Sequence, residues 1–193
     1  MASTPDTRDS GLKEHTLSSA SAFRGKLLSV RVDRVRLPDG SEATREIVEH
    51  APAIAAVPLL PDGQVVLVRQ WRQPAREVLL EIPAGVMHAG ETPEDCARRE
   101  LAEEIGYRPG RVVKLFSVFL APGYSEEVIH LFLAADLVPE RREADDDEFR
   151  EVVTMPLAKA VAMCRSGEIR DAKSVAGLLG AEGMTAGGGG QRD

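Results

Sequence analysis

The sequence predicts a mixed α/β, or α+β, domain in which a β-sheet is covered by helices. Three observations lead there: apolar and polar residues alternate in paired segments around Pro-Asp-Gly turns, one helix is punctuated at both ends, and a later segment carries apolar residues at helical spacing.

Residues 1 to about 20 are rich in Ser, Thr, Asp and Lys without periodicity and read as a mobile arm. Next, LLSVRVDRVRLPDGSEATREIVEH alternates around Pro38-Asp39-Gly40, which predicts an N-terminal antiparallel β-hairpin unit with Leu28, Val30 and Val32 on one face. A second hairpin is expected where AIAAVPLL and QVVLVRQWR flank Pro61-Asp62-Gly63; their nearly continuous apolar character implies strands covered on both sides. The helix that follows has Thr92 as N-cap, Pro93 at its first position, Glu94 and Asp95 in the first turn, and Gly106 as terminator. VVKLFSVFLAP and EEVIHLFLAADL read as two more strands, followed by the acidic loop PERREADDDEFREV. In MPLAKAVAMCRSG, Leu157, Val161 and Cys164 stand at helical spacing, and DAKSVAGLLG reads as another short helix. The glycine-rich end, GAEGMTAGGGGQRD, cannot offset its ordering entropy. The expected division is therefore an arm over 1–20, one domain over 21–180 (a β-unit at 21–50 and a core at 51–180) and a disordered tail over 181–193.

A chain of 193 residues fits one such domain, and 43% hydrophobic with 28% charged residues is ordinary for a globular protein. No apolar run approaches the roughly 18 residues that a membrane span needs, so no membrane partner is expected. The first residues lack the basic start and apolar stretch of a secretory signal, so a cytoplasmic location is expected. Cys96 and Cys164 have neither a CxxC spacing nor a nearby histidine, so both are expected to be buried thiols rather than zinc ligands or a disulfide. A net charge of -7 argues against nucleic-acid binding. It also means that any anionic phosphate substrate must meet local arginines or a recruited divalent cation.

Within the punctuated helix, Glu100, Glu103 and Glu104 fall at i, i+3 and i+4, which puts three carboxylates on one face at roughly 5–6 Å Cβ spacing. Ala97, Leu101 and Ile105 line the adjoining stripe and can face the core. The ordinary reading of such a face is a solvated acidic surface with Arg98 and Arg99 as partners. Context favours a cation site instead. A glycine loop from Gly85 to Gly90 precedes the helix and permits close backbone approach, Glu91 is placed to pair with Arg99, and hard oxygen donors suit Mg²⁺ or Mn²⁺.

Together Gly85, Glu91, Arg99, Glu100, Leu101, Glu103, Glu104 and Gly106, in GVMHAGETPEDCARRELAEEIGY, resemble the Nudix box, G-x5-E-x7-R-E-U-x-E-E-x-G-U with U aliphatic. Tyr107 at the last U is the sole departure. The resemblance implies the Nudix fold, a mixed sheet sandwiched between helices, and a magnesium-dependent hydrolase of nucleoside diphosphate derivatives. It further implies that Glu100 and Glu104 are direct metal ligands, that Glu103 is a further ligand or holds a water, that the Ala84 carbonyl is a backbone ligand, and that Arg99 and Glu91 hold the motif together.

Pro122, sixteen residues after Gly106 in LAPGYSEE, is similar to the proline that marks the ADP-ribose pyrophosphatase branch, although Pro-Gly also suits a simple turn. TREIVEH at 44–50, VRQWRQP at 68–74 and DAKSVAGLL at 171–179 resemble that branch too. The likeness assigns Arg72 and Arg69 to phosphate or ribose, Arg45 and Glu46 to adenine or ribose, and the products AMP and ribose 5-phosphate. His88 stands where the branch can carry a glutamate. A carboxylate from a late mobile loop serves the branch as catalytic base; Glu148 is the first choice here, Asp147 the second, and Glu103 a rival. The branch also forms homodimers in which the N-terminal β-unit crosses onto the partner. Trp71 and Tyr124 could stack on adenine, but packing is the commoner role of isolated aromatics. The alternatives are a Nudix enzyme for a nucleotide sugar, a dinucleoside polyphosphate or coenzyme A, and a nucleotide-binding regulator without turnover.

Overall fold

The computed structural model describes residues 11–140 and 149–187. Two compact units make up the chain. One runs to Ala51 and includes Ala121–Glu127; the other comprises Pro52–Leu120 and Val128 onward.

The first unit is an antiparallel sheet of β1 (His15–Arg24), β2 (Ser29–Arg36) and β3 (Glu42–Glu49), with β2 in the middle. The expected hairpin forms: Val32 pairs with Glu46 and Val35 with Ala43, and Gly40 turns the chain at φ 87°. The predicted 1–20 arm is corrected, because β1 begins at His15. Every residue of β1 is exposed, so the strand lacks the one-sided apolar alternation by which strands are read from sequence. Segment 121–127 joins this unit through Val48 N–H donating to the Tyr124 carbonyl at 2.7 Å and Arg31 Nη1 donating to Glu126 at 3.0 Å.

The second unit holds two sheets. β5 (Gln64–Arg72) lies between β6 (Glu77–Glu81) and β10 (Arg150–Pro156). The other sheet runs β7 (Ala84–Val86), β4 (Ala53–Pro58), β9 (Val128–Pro139), β8 (Tyr107–Phe119), with β4 and β9 parallel. The helices are α1 (Pro93–Glu104), α2 (Leu157–Ser166) and α3 (Ala172–Gly187).

The predicted second hairpin is also corrected. Pro61-Asp62-Gly63 does make a tight turn, with Leu60 N–H donating to the Gln64 carbonyl at 2.8 Å, but after a single bridge between Leu59 and Val65 the two strands part into different sheets. Strand β4 and the first half of β5, Val65 to Val68, are apolar on both faces, and such a pattern does not fix a register or a partner. The consequence is a sheet layer covered on both sides, as expected. Ala53, Ala55 and Val57 face a core shared with Leu157, Val161 and Leu178 of α2 and α3. Ile54 and Ala56 face another, shared with Cys96, Ala97 and Leu101 of α1.

Helix α3 runs through residue 187, so the expected tail over 181–193 is helical in its first part, and Ala181 is fully buried. Cys96 is buried as expected, whereas Cys164 is only half-buried. No helix among the described residues is long and apolar enough to cross a membrane.

Candidate functional site

The predicted punctuation of α1 is realised. The Thr92 side chain accepts from Asp95 N–H at 3.2 Å, Pro93 opens the helix, and Gly106 leaves it at φ 73°. Cys96, Ala97, Leu101 and Ala102 bury one stripe against the sheet. Packing of that stripe sets the rotation of the helix, and the three glutamates then occupy the adjoining face. Glu100 and Glu104 are largely enclosed, with side chains 13% and 6% exposed, and Glu103 is 27% exposed.

Arg99 organises this face. Its Nε and Nη2 donate to the two oxygens of Glu91 at 2.9 Å each, its Nη2 donates to the Val86 carbonyl at 3.1 Å, and its Nη1 donates to Glu100 at 2.7 Å and to Glu103 at 3.1 Å. Glu91 also accepts from His88 N–H at 3.0 Å, so the Glu91–Arg99 pair clamps the loop at 85–90 to the helix. The hydrogen bonds from Arg99 outweigh burial and hold the Glu91 carboxyl down at about 2.

Gly85 has a steric purpose. A Cβ there would lie 1.9 Å from the Glu100 carboxylate carbon, so only glycine lets that carboxylate rest on the loop backbone. Glu104 accepts from Ala84 N–H at 3.1 Å and stands 3.4 Å from Arg150 Nη1. Burial pushes its carboxyl up to about 7 against the opposing pull of Arg150, and the Glu100 charge adds to the rise. Burial raises Glu100 as well, with Arg99 opposing.

The donor set fits a hard divalent cation: three carboxylates on one helical face, two of them desolvated, beside a glycine loop that admits close approach. Arg99 and Arg150 bring positive charge to these carboxylates. Each carboxylate thus has a guanidinium partner, and among the described residues no group of three His, Cys, Asp or Glu is gathered closely enough to hold a metal ion.

The remaining candidates are distributed as follows. Arg72, on β5, donates from Nε and Nη2 to the two oxygens of Glu81 at 2.8 Å each, and it and Glu104 lie close enough for each to shift the other's ionisation. Arg69, on the same strand, pairs with Glu151 of β10 at 3.0 Å in the open. Arg45 and Glu46 belong to β3 of the first unit, where Arg45 Nε donates to Glu14 at 3.0 Å, and Pro122 sits in the exposed turn at 121–127 of that unit. Asp147 and Glu148 lie outside the described residues. Trp71 and Tyr124 are 55% and 61% exposed, which corrects the expectation that they pack inside.

Sequence reasoning missed Arg150, Glu81 and Lys173. Arg150 is 9% exposed at its side chain and Glu81 1%. The available signal for Glu81 was a charge set directly after the apolar run Val78-Leu79-Leu80; Arg150 and Lys173 are marked only by three-dimensional packing.

A family model described as NUDIX domain matches residues 49–178, and one described as nucleoside diphosphate sugar hydrolase N-terminal domain matches residues 14–48. The chain is 39% identical over 165 residues to an ADP-ribose pyrophosphatase of Bacillus subtilis, covering 84% of this chain and 89% of the relative. It is 36% identical over 165 residues to a methanol dehydrogenase activator of Bacillus methanolicus, with the same two coverages. A crystal structure of an ADP compounds hydrolase superposes with a TM-score of 0.83 at 25% identity, covering 92% of this chain and 96% of that one.

Proposed function

Because the chain belongs to the Nudix family, we propose that it hydrolyses the pyrophosphate bond of ADP-ribose, releasing AMP and ribose 5-phosphate. The observation that carries this reading is the face of Glu100, Glu103 and Glu104, two of them desolvated, held against the glycine loop by Arg99 and Glu91. Similarity over most of the chain to an ADP-ribose pyrophosphatase, and a fold shared with an ADP compounds hydrolase, support ADP-linked substrates.

Nudix hydrolases generally use divalent metal ions, and oxygen donors of this kind suit Mg²⁺, with Mn²⁺ as a substitute. Glu100, Glu104 and Glu103 would hold it, with the Ala84 carbonyl as a backbone donor. When bound, such a cation neutralises diphosphate charge and lowers the pKa of a coordinated water. The protein's own groups do the rest. Arg99 orients Glu100 and Glu103, and Arg72 offers a guanidinium fork to the phosphate oxygens. A carboxylate takes the proton of the attacking water as its oxygen joins phosphorus and the bridging P–O bond breaks; Glu148, Asp147 and Glu103 are the candidates. Arg69, Arg45, Glu46 and Pro122 are assigned to the remainder of the substrate.

We further propose that the protein is a cytoplasmic homodimer. In support of the dimer, β1 is exposed along its whole length, and Leu17 and Phe23 are 38% and 56% exposed.

Likeness to an ADP compounds hydrolase favours a second reading, turnover of another ADP-containing compound. Incubation with Mg²⁺ and a panel of ADP-ribose, nucleotide sugars, dinucleoside polyphosphates and coenzyme A, followed by product analysis, separates the two. ADP-ribose is expected to give the highest kcat/KM. Glu104→Gln is expected to lower it by more than the roughly 10–100-fold that loss of a partner behind a metal ligand costs. If wild type releases no product from any of these compounds, the protein is a binding module.

A further inference from the structure

We propose that Glu81, Lys173 and Asp171 form a buried charge array that positions the Arg72 guanidinium for the substrate's diphosphate and keeps part of its charge available there. The inference rests on the reading of Arg72 as a phosphate contact and gives a purpose to the segment Asp171 to Ser174 at the start of α3.

The array is built across two elements. Glu81, the last residue of β6, has a side chain 1% exposed, and its oxygens accept from Arg72 on one side and from Lys173 Nζ at 2.5 Å on the other. Lys173 is also enclosed and stands 2.9 Å from Asp171. Asp171 accepts from Ser174 N–H at 3.0 Å, three residues on, in the manner of an N-cap. The Ser174 hydroxyl donates to Asp171 at 2.5 Å and accepts from Ile82 N–H at 2.9 Å. Helix start and strand end are thus tied by a chain of short polar contacts.

Two carboxylates and two cations balance to zero. Arg72 is the most open of the four, its side chain being 41% exposed, against 18% for Asp171, 9% for Lys173 and 1% for Glu81. Three physical points follow. Buried ion pairs rarely add net stability over apolar packing, so stability alone does not account for four charges gathered here. A two-point hold from Glu81 fixes the guanidinium plane, and a preorganised fork loses less entropy when it meets an oxyanion. A carboxylate shared with Lys173 neutralises Arg72 less completely than one committed to it alone, so the exposed face keeps attraction for a phosphate.

The test uses the full-length protein and reads the Kd for ADP-ribose in EDTA, where no turnover occurs, together with kcat and KM in Mg²⁺. Lys173→Met keeps the length of the side chain but leaves Glu81 wholly to Arg72. It is expected to raise both Kd and KM about tenfold with kcat within about twofold, a coupling of ordinary size for neighbouring charges. Adding Glu81→Gln to Lys173→Met removes the unbalanced carboxylate and is expected to bring Kd back to within about threefold of wild type. A purely structural role would lower the melting temperature in the double variant without this recovery. Lys173→Arg, which preserves the charge, is expected to keep wild-type affinity and serves if Lys173→Met does not fold. The proposal is overturned if Lys173→Met binds ADP-ribose as wild type does while Arg72→Ala binds it weakly, or if the double variant is no better than the single one. It also falls if Arg72→Ala binds as tightly as wild type, and that result, unlike the others, removes the phosphate role of Arg72 as well.

Discussion

Gly85 and Glu100 illustrate how one missing carbon can set up chemistry. A Cβ at Gly85 would come within 1.9 Å of the Glu100 carboxylate, and the clash falls on the far end of a flexible side chain. The fold can therefore absorb Gly85→Ala by swinging Glu100 away. The expected result is an unchanged melting temperature and a kcat lower by roughly 10–100-fold, as when a ligand loses its orientation. Equal activity in Gly85→Ala would mean that Glu100 has no required position. At this scale much was legible: the spacing of Glu91, Arg99 and the three glutamates announced both the clamp and the acidic face. Glu81 and Lys173 were not, because they are 92 residues apart in the chain and only the packing of α3 on the sheet joins them.

Helix α1 and its loop respond to acid as one element. The Glu91 carboxyl titrates from an ordinary 4.5 in the unfolded chain to about 2 in the folded one, so its pairing with Arg99 stabilises the fold above pH 4.5. That contribution fades as pH falls from about 4.5 through about 2. Chemical denaturation of wild type and Glu91→Gln is expected to show a gap of about 2 kcal/mol at neutral pH, the size of a charged hydrogen bond, narrowing steadily below pH 4.5. A gap independent of pH would assign the effect to packing. Element boundaries were legible where side chains cap or terminate, as at Thr92 and Gly106. They were not legible in β1, which has no buried face, nor in the pairing of β4 and β5, where two-sided burial erases the register signal.

At the scale of the whole molecule, the first unit is short of a core. Of its described residues only Val35 and Asp33 are buried, and β1 lies open from end to end. A three-stranded sheet with so little covered surface is marginal alone, which agrees with the proposed dimer. Light scattering during size-exclusion chromatography is expected to give twice the monomer mass, and Phe23→Glu on β1 is expected to shift it toward one. A wild-type mass of a single chain at micromolar concentration would remove the dimer. The mixed α+β class with helices on both faces of the sheet was evident from the alternating and helical apolar patterns. Which strands join which sheet was not, since that depends on contacts far apart in the chain.

The guanidinium of Arg99, lodged between Glu100 and Glu103, gives the acidic face a counter-charge of its own. Clustered like charges on a helix cost a few tenths of a kcal/mol per pair unless something offsets them. Part of that repulsion is met inside the helix itself, so the spacing of the carboxylates is held by a neighbour about one turn away or less.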